Sequence, residues 1–340
     1  MLKKFWGLFL GLMMSGGLLI TPALAADTNL PYTVTIKTPA QQIGQVKYFN
    51  VQGKPNEVIK LPLTIKNNTN KSYTLLSEPN NATTSDKLIV DYSDHNAHKI
   101  NDNTYDLTDM MSGPLKVTLN KHETITNTFS LTLPPKNFAG LVLGSIRISD
   151  VNDPGQPGFV TAVMVRMHSR SVSPQLKITA VDITTKNKNP TLRLTVQNPR
   201  PVLLTNAKLK GSFVRLDHSQ KTLATMVTDN KRSLAPSSEF HVFIPYTEKQ
   251  RLQAGKYQVN LQVNSGQGTA KTTKTFTLSQ QLAAKTNKQL GLTWKDSFWN
   301  NYTFWFGGII IFAVIIIGGI IVYKKRAQND FADQDPDDFI

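Results

Sequence analysis

The sequence predicts an all-β chain: two tandem immunoglobulin-like β-sandwich domains followed by one C-terminal transmembrane helix. Three observations carry this. From Tyr32 to Leu278 apolar and polar residues alternate with period two, the signature of strands buried on one face and wet on the other. Clusters of Asn, Pro and Gly punctuate the alternation, as turns do. Phe304 to Val322 is then almost wholly apolar and is followed at once by Lys324, Lys325 and Arg326.

The amino terminus reads as a secretory signal over residues 1–25. Lys3 and Lys4 form the positive region, Phe5 to Ile20 the apolar region, and Ala23-Leu24-Ala25 a small-x-small cleavage site, with cleavage after Ala25 or Ala26. The chain of 340 residues has no cysteine, which excludes a disulfide scaffold, thiolate metal sites and a cysteine nucleophile. Its net charge is +15; the signal's +2 and the tail's −2 cancel, so the whole excess falls on the exported part. An exported chain without cysteine suits a Gram-positive surface better than a eukaryotic one, and the anionic polymers of such a wall would attract this excess charge, more weakly as salt rises. No basic run there exceeds two adjacent residues, so no nucleic-acid partner is expected.

The first sandwich is expected over residues 31–170. Ile59, Leu61, Leu63 and Ile65 share one strand face, and Lys60, Pro62, Thr64 and Lys66 the other. Asn67-Asn68-Thr69-Asn70 is expected to close a hairpin; Ser112-Gly113-Pro114, Pro134 to Asn137 and Asp153 to Gly158 mark further turns. The sequons at Asn67, Asn70 and Asn81 are expected to be bare in a bacterial surface protein. Ser171 to Pro174 separates a second sandwich over 174–279, in which Leu192, Leu194 and Val196, and Tyr257, Val259, Leu261 and Val263, form buried faces. Each piece, about 140 and about 105 residues, has the size of one such sandwich. No helical period appears outside the signal and the anchor, except a short polar helix from Ser279 to Asn287 at the start of a stalk over 280–301.

The transmembrane helix is placed at 302–323, with a cytoplasmic tail at 324–340. About twenty residues rising about 1.5 Å each span about 30 Å, the hydrocarbon thickness. Thirteen Phe, Ile and Val lie between 304 and 322, each favouring insertion by about 0.3–0.6 kcal/mol. Trp299, Tyr302 and Trp305 at one end, and Tyr323 with Lys324, Lys325 and Arg326 at the other, are the expected membrane-interface anchors. The positive end places the N-terminus and both sandwiches outside a single-pass cell membrane, in the wall zone. Leu61 to Ile65 (LPLTI) begins like a sortase signal but lacks the glycine and lies in a strand, so the helix, not a covalent wall linkage, is the expected attachment.

Catalytic motifs are missing from the sequence: no nucleophile elbow, no Walker loop and no His-Glu-x-x-His. The one close histidine pair, His95 and His98, lies among Asp91, Asp94 and Asp102; a polar loop between strands is the expected reading, and neither a metal nor a cofactor is assigned. Glycan cleavage needs two facing carboxylates, and none are paired by sequence.

The first half contains YFNVQGKPNEVIKLPLTIKNNTNKSYTL, NNATTSDKLIVDYS and LPPKNFAGLVLGSI; the second contains SPQLKITAVDI, VQNPRPVLLTNAKLKGSFV, SLAPSSEFHVFIPY and LQAGKYQVNLQV. In order and spacing these segments resemble the WxL-interacting proteins of Gram-positive bacteria. The resemblance implies a peptidoglycan-binding first module, a second module for host or other surface ligands, plant surfaces included, and assembly with WxL-domain surface proteins into a non-covalent adhesion complex. The alternative is a surface enzyme acting on wall or plant polysaccharide; a sensor is disfavoured by the seventeen-residue tail. Two positions depart from the family pattern: Pro-x-Asn-Gln reads Pro39-Ala40-Gln41-Gln42, and Gly-Gly-Ile reads Gly144-Ser145-Ile146. Glycans are read by aromatic faces and by groups that both donate and accept hydrogen bonds. Asn81, Thr83, Thr84, Asp91 and Tyr92 are therefore the glycan-contact candidates, with turn formation as the competing role for the first three. Arg200, in Asn198-Pro199-Arg200-Pro201, is the partner-contact candidate.

Overall fold

A computed structural model describes residues 30–93, 100, 105–187, 189–217, 220–246 and 251–292. The expected signal, the anchor with its interface residues, the tail and the pair His95 and His98 lie outside the described residues. Among the described residues no helix is long and apolar enough to cross a membrane.

The first sandwich comprises β1 (Tyr32–Ile36), β2 (Phe49–Gln52), β3 (Val58–Asn67), β4 (Tyr73–Asn81), β5 (Thr83–Thr84), β6 (Val90–Asp91), a one-turn helix α1 (Leu107–Met110), β7 (Leu115–Leu119), β8 (Thr124–Thr132), β9 (Val142–Asp150) and β10 (Phe159–Arg166). One sheet runs β1-β3-β8 and the other β2-β10-β9-β4-β7. The β10–β2 pair is parallel and the others are antiparallel. Along β3, Ile59, Leu61, Leu63 and Ile65 are fully buried while Val58, Lys60 and Lys66 face solvent. Opposite them lie Phe49, Val51, Leu75, Ile146, Ile148, Val163 and Val165, which complete the core. The Tyr32 hydroxyl donates to the Ile148 carbonyl at 2.9 Å inside it, and burial raises its pKa.

The second sandwich comprises β11 (Lys177–Lys186), β12 (Asn189–Asn198), β13 (Leu204–Arg215), β14 (Thr222–Val227), β15 (Arg232–Leu234), β16 (Ser238–Pro245), β17 (Gly255–Ser265) and β18 (Gly268–Leu278). Its sheets run β11-β12-β16 and β14-β13-β17-β18, with β15 also paired to β13. The core is anchored by Phe213, whose ring stacks on Tyr257 at 5.2 Å and Phe276 at 6.2 Å and meets Tyr246 edge-on at 6.3 Å.

Among the described residues, 251–255 and 277–292 belong to a second compact unit. In it α2 (Gln280–Gln289) is capped by Ser279, whose hydroxyl accepts from Leu282 N–H. The Asn287 side chain accepts from Leu252 N–H and donates to the Leu252 carbonyl, each at 2.8 Å.

Two features differ from the sequence reading. Asn67 to Asn70 is not a hairpin: β3 and β4 belong to different sheets, and the segment crosses between them. Asn67 is fully buried and donates to the carbonyls of Lys71 and Asn120 at 2.7 and 2.8 Å, while its side-chain oxygen accepts from Thr69 N–H. Turn chemistry marks a reversal, but it does not say whether the next strand pairs with the last one. The helix α1 is also new, because four residues are too few to display a 3.6 period.

Candidate functional site

At Asn81 the chain leaves β4 and projects a short ribbon, β5 paired with β6, in register Thr83 with Asp91 and Thr84 with Val90. The ribbon belongs to the first sandwich and docks on the second. Thr84 is buried; its hydroxyl lies 3.0 Å from the Ser238 hydroxyl and accepts from Ala235 N–H at 2.9 Å. Val90 N–H donates to the Ser233 hydroxyl at 3.2 Å, and Ser233 N–H returns to the Leu88 carbonyl at 3.0 Å. Arg232 donates to the Lys87 carbonyl, and His241 lies 3.2 Å from the Asp86 carboxylate.

A second clamp joins Leu141 N–H to the Pro201 carbonyl at 2.8 Å. Glycine is required beside it: Gly140 has φ +88°, and a Cβ there would collide with the Pro201 carbonyl oxygen. Between the clamps Ala82, Leu143, Met164 and Ala235 form a small buried cluster flanked by Tyr48, Val90, Tyr92, Leu141 and Leu203. This cluster covers the outer side of the β9–β10 pair, which explains why β9 is buried on both faces over Val142 to Ile146.

Beside the ribbon a cleft of about 540 Å³ opens between the two sandwiches. Asn81, Thr83, Thr84, Asp91 and Tyr105 line it from the first, and Gln197, Glu239 and His241 from the second. Asp86 and Asp106 add to its carboxylates, so an acidic lining sits within a chain of net charge +15. Asp86 faces His241, Asp91 accepts from the N–H and hydroxyl of Ser93, and Glu239 accepts from the Gln197 amide at 3.0 Å.

The five glycan candidates thus separate by surroundings. Asn81, Thr83, Thr84 and Asp91 share the cleft. Within it, Asn81 also brackets α1, accepting from Thr108 N–H and donating to the Thr108 hydroxyl, and Thr84 is engaged in docking. Tyr92 packs on the junction cluster. Arg200 presents an exposed side chain, while its carbonyl accepts from Val202 and Ser237 N–H groups at 2.8 and 3.1 Å. Sequence reasoning missed Ser233, Ala235 and Ser238; all three sit in a Ser/Pro-rich segment that reads as an ordinary turn.

Burial pushes the Tyr92 phenol up to about 12, with Tyr48 beside it adding to the shift. Burial likewise raises Tyr48 and lowers the Arg166 guanidinium. A phenol held neutral by the fold stabilises it fully below the unfolded value of about 10 and loses that contribution as pH rises towards 12. Alkaline unfolding between pH 10 and 12 is therefore expected to be shallower in Tyr92→Phe, with a difference of no more than about 2 kcal/mol, read by thermal melts across that range.

Both departures from the family pattern have local explanations. Gln41 donates to Glu57 at 2.8 Å, and this bond, after the Lys54 N–H, holds the Glu57 carboxyl below its ordinary value. Ser145 is fully buried but satisfied, its hydroxyl donating to the Tyr92 carbonyl at 2.6 Å.

No curated protein matches the sequence. Among solved structures, the chain is similar to the Pseudomonas aeruginosa CupB2 chaperone (10% identity, 64% of this chain and 91% of that one, TM-score 0.24). It is similar also to the Escherichia coli chaperone DraB (13% identity, 73% and 98%, TM-score 0.26). Against the red sea bream transglutaminase it spans only 31% of that protein, with 13% identity over 73% of this chain and a TM-score of 0.21. Likenesses this distant say nothing about function. Two family models do match, in order: the peptidoglycan binding domain of WxL Interacting Protein over residues 32–150 and its host binding domain over 156–288. Their boundary falls in the β9–β10 loop, one strand before the change of sheet. With both modules present in that order over most of its length, the chain belongs to the WxL-interacting protein family.

Proposed function

We propose that this protein is a membrane-anchored cell-surface binder whose first sandwich engages peptidoglycan and whose second engages WxL-domain proteins or a host ligand, assembling a non-covalent adhesion complex. The observation that carries this reading is the pair of family matches in tandem, both of binding modules. The helix proposed at 302–323 holds the complex at the membrane. Asn81, Thr83 and Asp91, as cleft-lining groups of the first sandwich, are the proposed glycan contacts, and Arg200, exposed beside the second clamp, the proposed partner contact.

The test needs the full chain, because a fragment ending at the first sandwich would bare Leu143 and Met164 and strip Thr84 of its partners. The detergent-purified chain is expected to sediment with insoluble peptidoglycan freed of anionic polymers. Recovery wholly in the supernatant at low salt would overturn wall binding. The competing reading, glycan cleavage, is favoured by one observation: Asp86, Asp91, Asp106 and Glu239 line a single cleft. The same incubation reads it out, since new reducing ends, lost in Glu239→Gln, mean hydrolysis; none are expected.

A further inference from the structure

The larger sheet of the second sandwich has an unusual outer face. None of its strands β13, β14, β17 and β18 contains an Asp or Glu. The inward set of β17 is Tyr257, Val259, Leu261 and Val263, so Gln258, Asn260, Gln262 and Asn264 all point outward: four successive amides on one strand. β13 sets Lys208 opposite Asn264, Lys210 opposite Gln262 and Ser212 opposite Asn260. On the other flank β18 turns Phe276 into the core and therefore exposes Lys271, Thr273 and Thr275.

The amides are aligned by one another. Gln258 donates to Asn260 Oδ1 at 2.7 Å, which also accepts from the Thr273 hydroxyl at 2.9 Å, while Asn260 Nδ2 donates to Ser212. Gln262 and Thr269 both donate to Asn264 Oδ1 at 2.9 Å. With each Oδ1 accepting twice, Asn260 and Asn264 keep spare amide N–H donors, while Gln258 and Gln262 keep both an N–H and a side-chain carbonyl. The ammonium groups of Lys208, Lys210, Lys271 and of Lys256, exposed at the start of β17, have no partner among the described residues. Asp217 and Asp229, in loops beside this sheet, are each held by an arginine, Arg215 and Arg232. The smaller sheet of the same sandwich, by contrast, carries Asp182 and Glu239.

We infer that this face binds a polyanionic, hydroxyl-bearing polymer of the phosphodiester-linked polyol type. Charge complementarity selects a polyanion, since the strands of this face carry four lysines without a partner among the described residues and no carboxylate. The spare amide N–H groups suit phosphate oxygens, and the Gln258 and Gln262 carbonyls suit polyol hydroxyls, along an extended chain. The cations are lysines, compact charges that meet phosphate singly, whereas carboxylates are better met by the planar fork of arginine, which this face lacks. Strands about 4.8 Å apart with outward residues about 6.7 Å apart make a flat lattice suited to a repeating ligand. The inference rests on the wall-side placement proposed above, where such polymers lie within reach.

The test titrates the detergent-purified full chain with polyglycerol phosphate in rising NaCl. Binding is expected at low salt. The triple variant Lys208→Gln, Lys210→Gln, Lys271→Gln should weaken it about tenfold near physiological salt and lower the salt slope by about 2. Asn260→Thr with Gln262→Thr, which keeps strand-compatible side chains, should weaken binding with the slope unchanged. The control triple Lys37→Gln, Lys60→Gln, Lys66→Gln, at first-sandwich positions, should change affinity less than about twofold. Equal losses in the two triples would mean that net charge alone acts, and would overturn the site. Absent binding, or equal competition by polygalacturonate, would overturn the phosphodiester assignment. The second-sandwich triple should still sediment with polymer-free peptidoglycan, so failure here and failure of wall binding are read separately.

Discussion

Gly144→Val is expected to unfold the first sandwich at a temperature about 10 °C below the parent, through a loss of more than about 3 kcal/mol. Gly144 lies on β9 opposite Asn81 of β4. A Cβ there would strike the Asn80 carbonyl oxygen and come within 2.5 Å of Leu107 Cδ2 and 3.0 Å of Leu107 Cβ. Leu107 is itself fully buried, in the turn α1 that covers the inner side of β4 and β9. The valine would have to push apart two paired strands or evict the helix. Overpacking that only shifts a flexible side chain costs about 1–3 kcal/mol; a backbone carbonyl cannot rotate away while it remains in the ladder. Since domains are stable by about 5–15 kcal/mol in all, such a loss is a large share. Calorimetry of the full chain measures it, and a variant melting with the parent would show that β4 and β9 can separate at little cost. The wall binding proposed for this sandwich should fall with it, because Asn81 and the ribbon both start from the end of β4.

Phe213→Ala should cost about 3–5 kcal/mol in the second sandwich. The ring is fully buried, stacked against Tyr257 and Phe276 and edge-on to Tyr246. Its removal takes away apolar burial and three aromatic contacts, each worth about 0.5–1.5 kcal/mol beyond area. Collapse into the space is limited, because two of the three neighbours are held by β17 and β18. The calorimetric trace also reports on the junction. The docked ribbon contributes several hydrogen bonds of about 0.5–1.5 kcal/mol each and a small apolar cluster. Weakening the second sandwich should therefore lower the first one's transition as well, by less than its own. A first transition that stayed put would show that the ribbon contributes nothing to stability.

The strands that carry the cores were legible because burial alternates within each strand. Ile59 to Ile65, Leu192 to Val196 and Tyr257 to Val263 point inward as the period requires. The same period misleads where one sheet face is covered by something other than the facing sheet. Ser145 and Asn80 stand on an outer face yet are buried, because the junction closes over them. Thr84 and Tyr92 read as polar surface for the same reason. Their polarity was visible in the chain, but the residues that meet Thr84 lie about 150 positions downstream. No local pattern links them. The cleft was invisible too, since it exists only where the two sandwiches face each other.

The chain alone determined its β class, the inward faces of β3, β12 and β17 and the order of the two modules, because side-chain alternation is a property of a few consecutive residues. Tertiary structure alone decided that the chain after β3 crosses to the other sheet, that a ribbon of the first sandwich seats on the second, and that carboxylates from both meet in one cleft. Those outcomes depend on contacts between residues far apart in sequence, whose free energies exist only after the chain has closed.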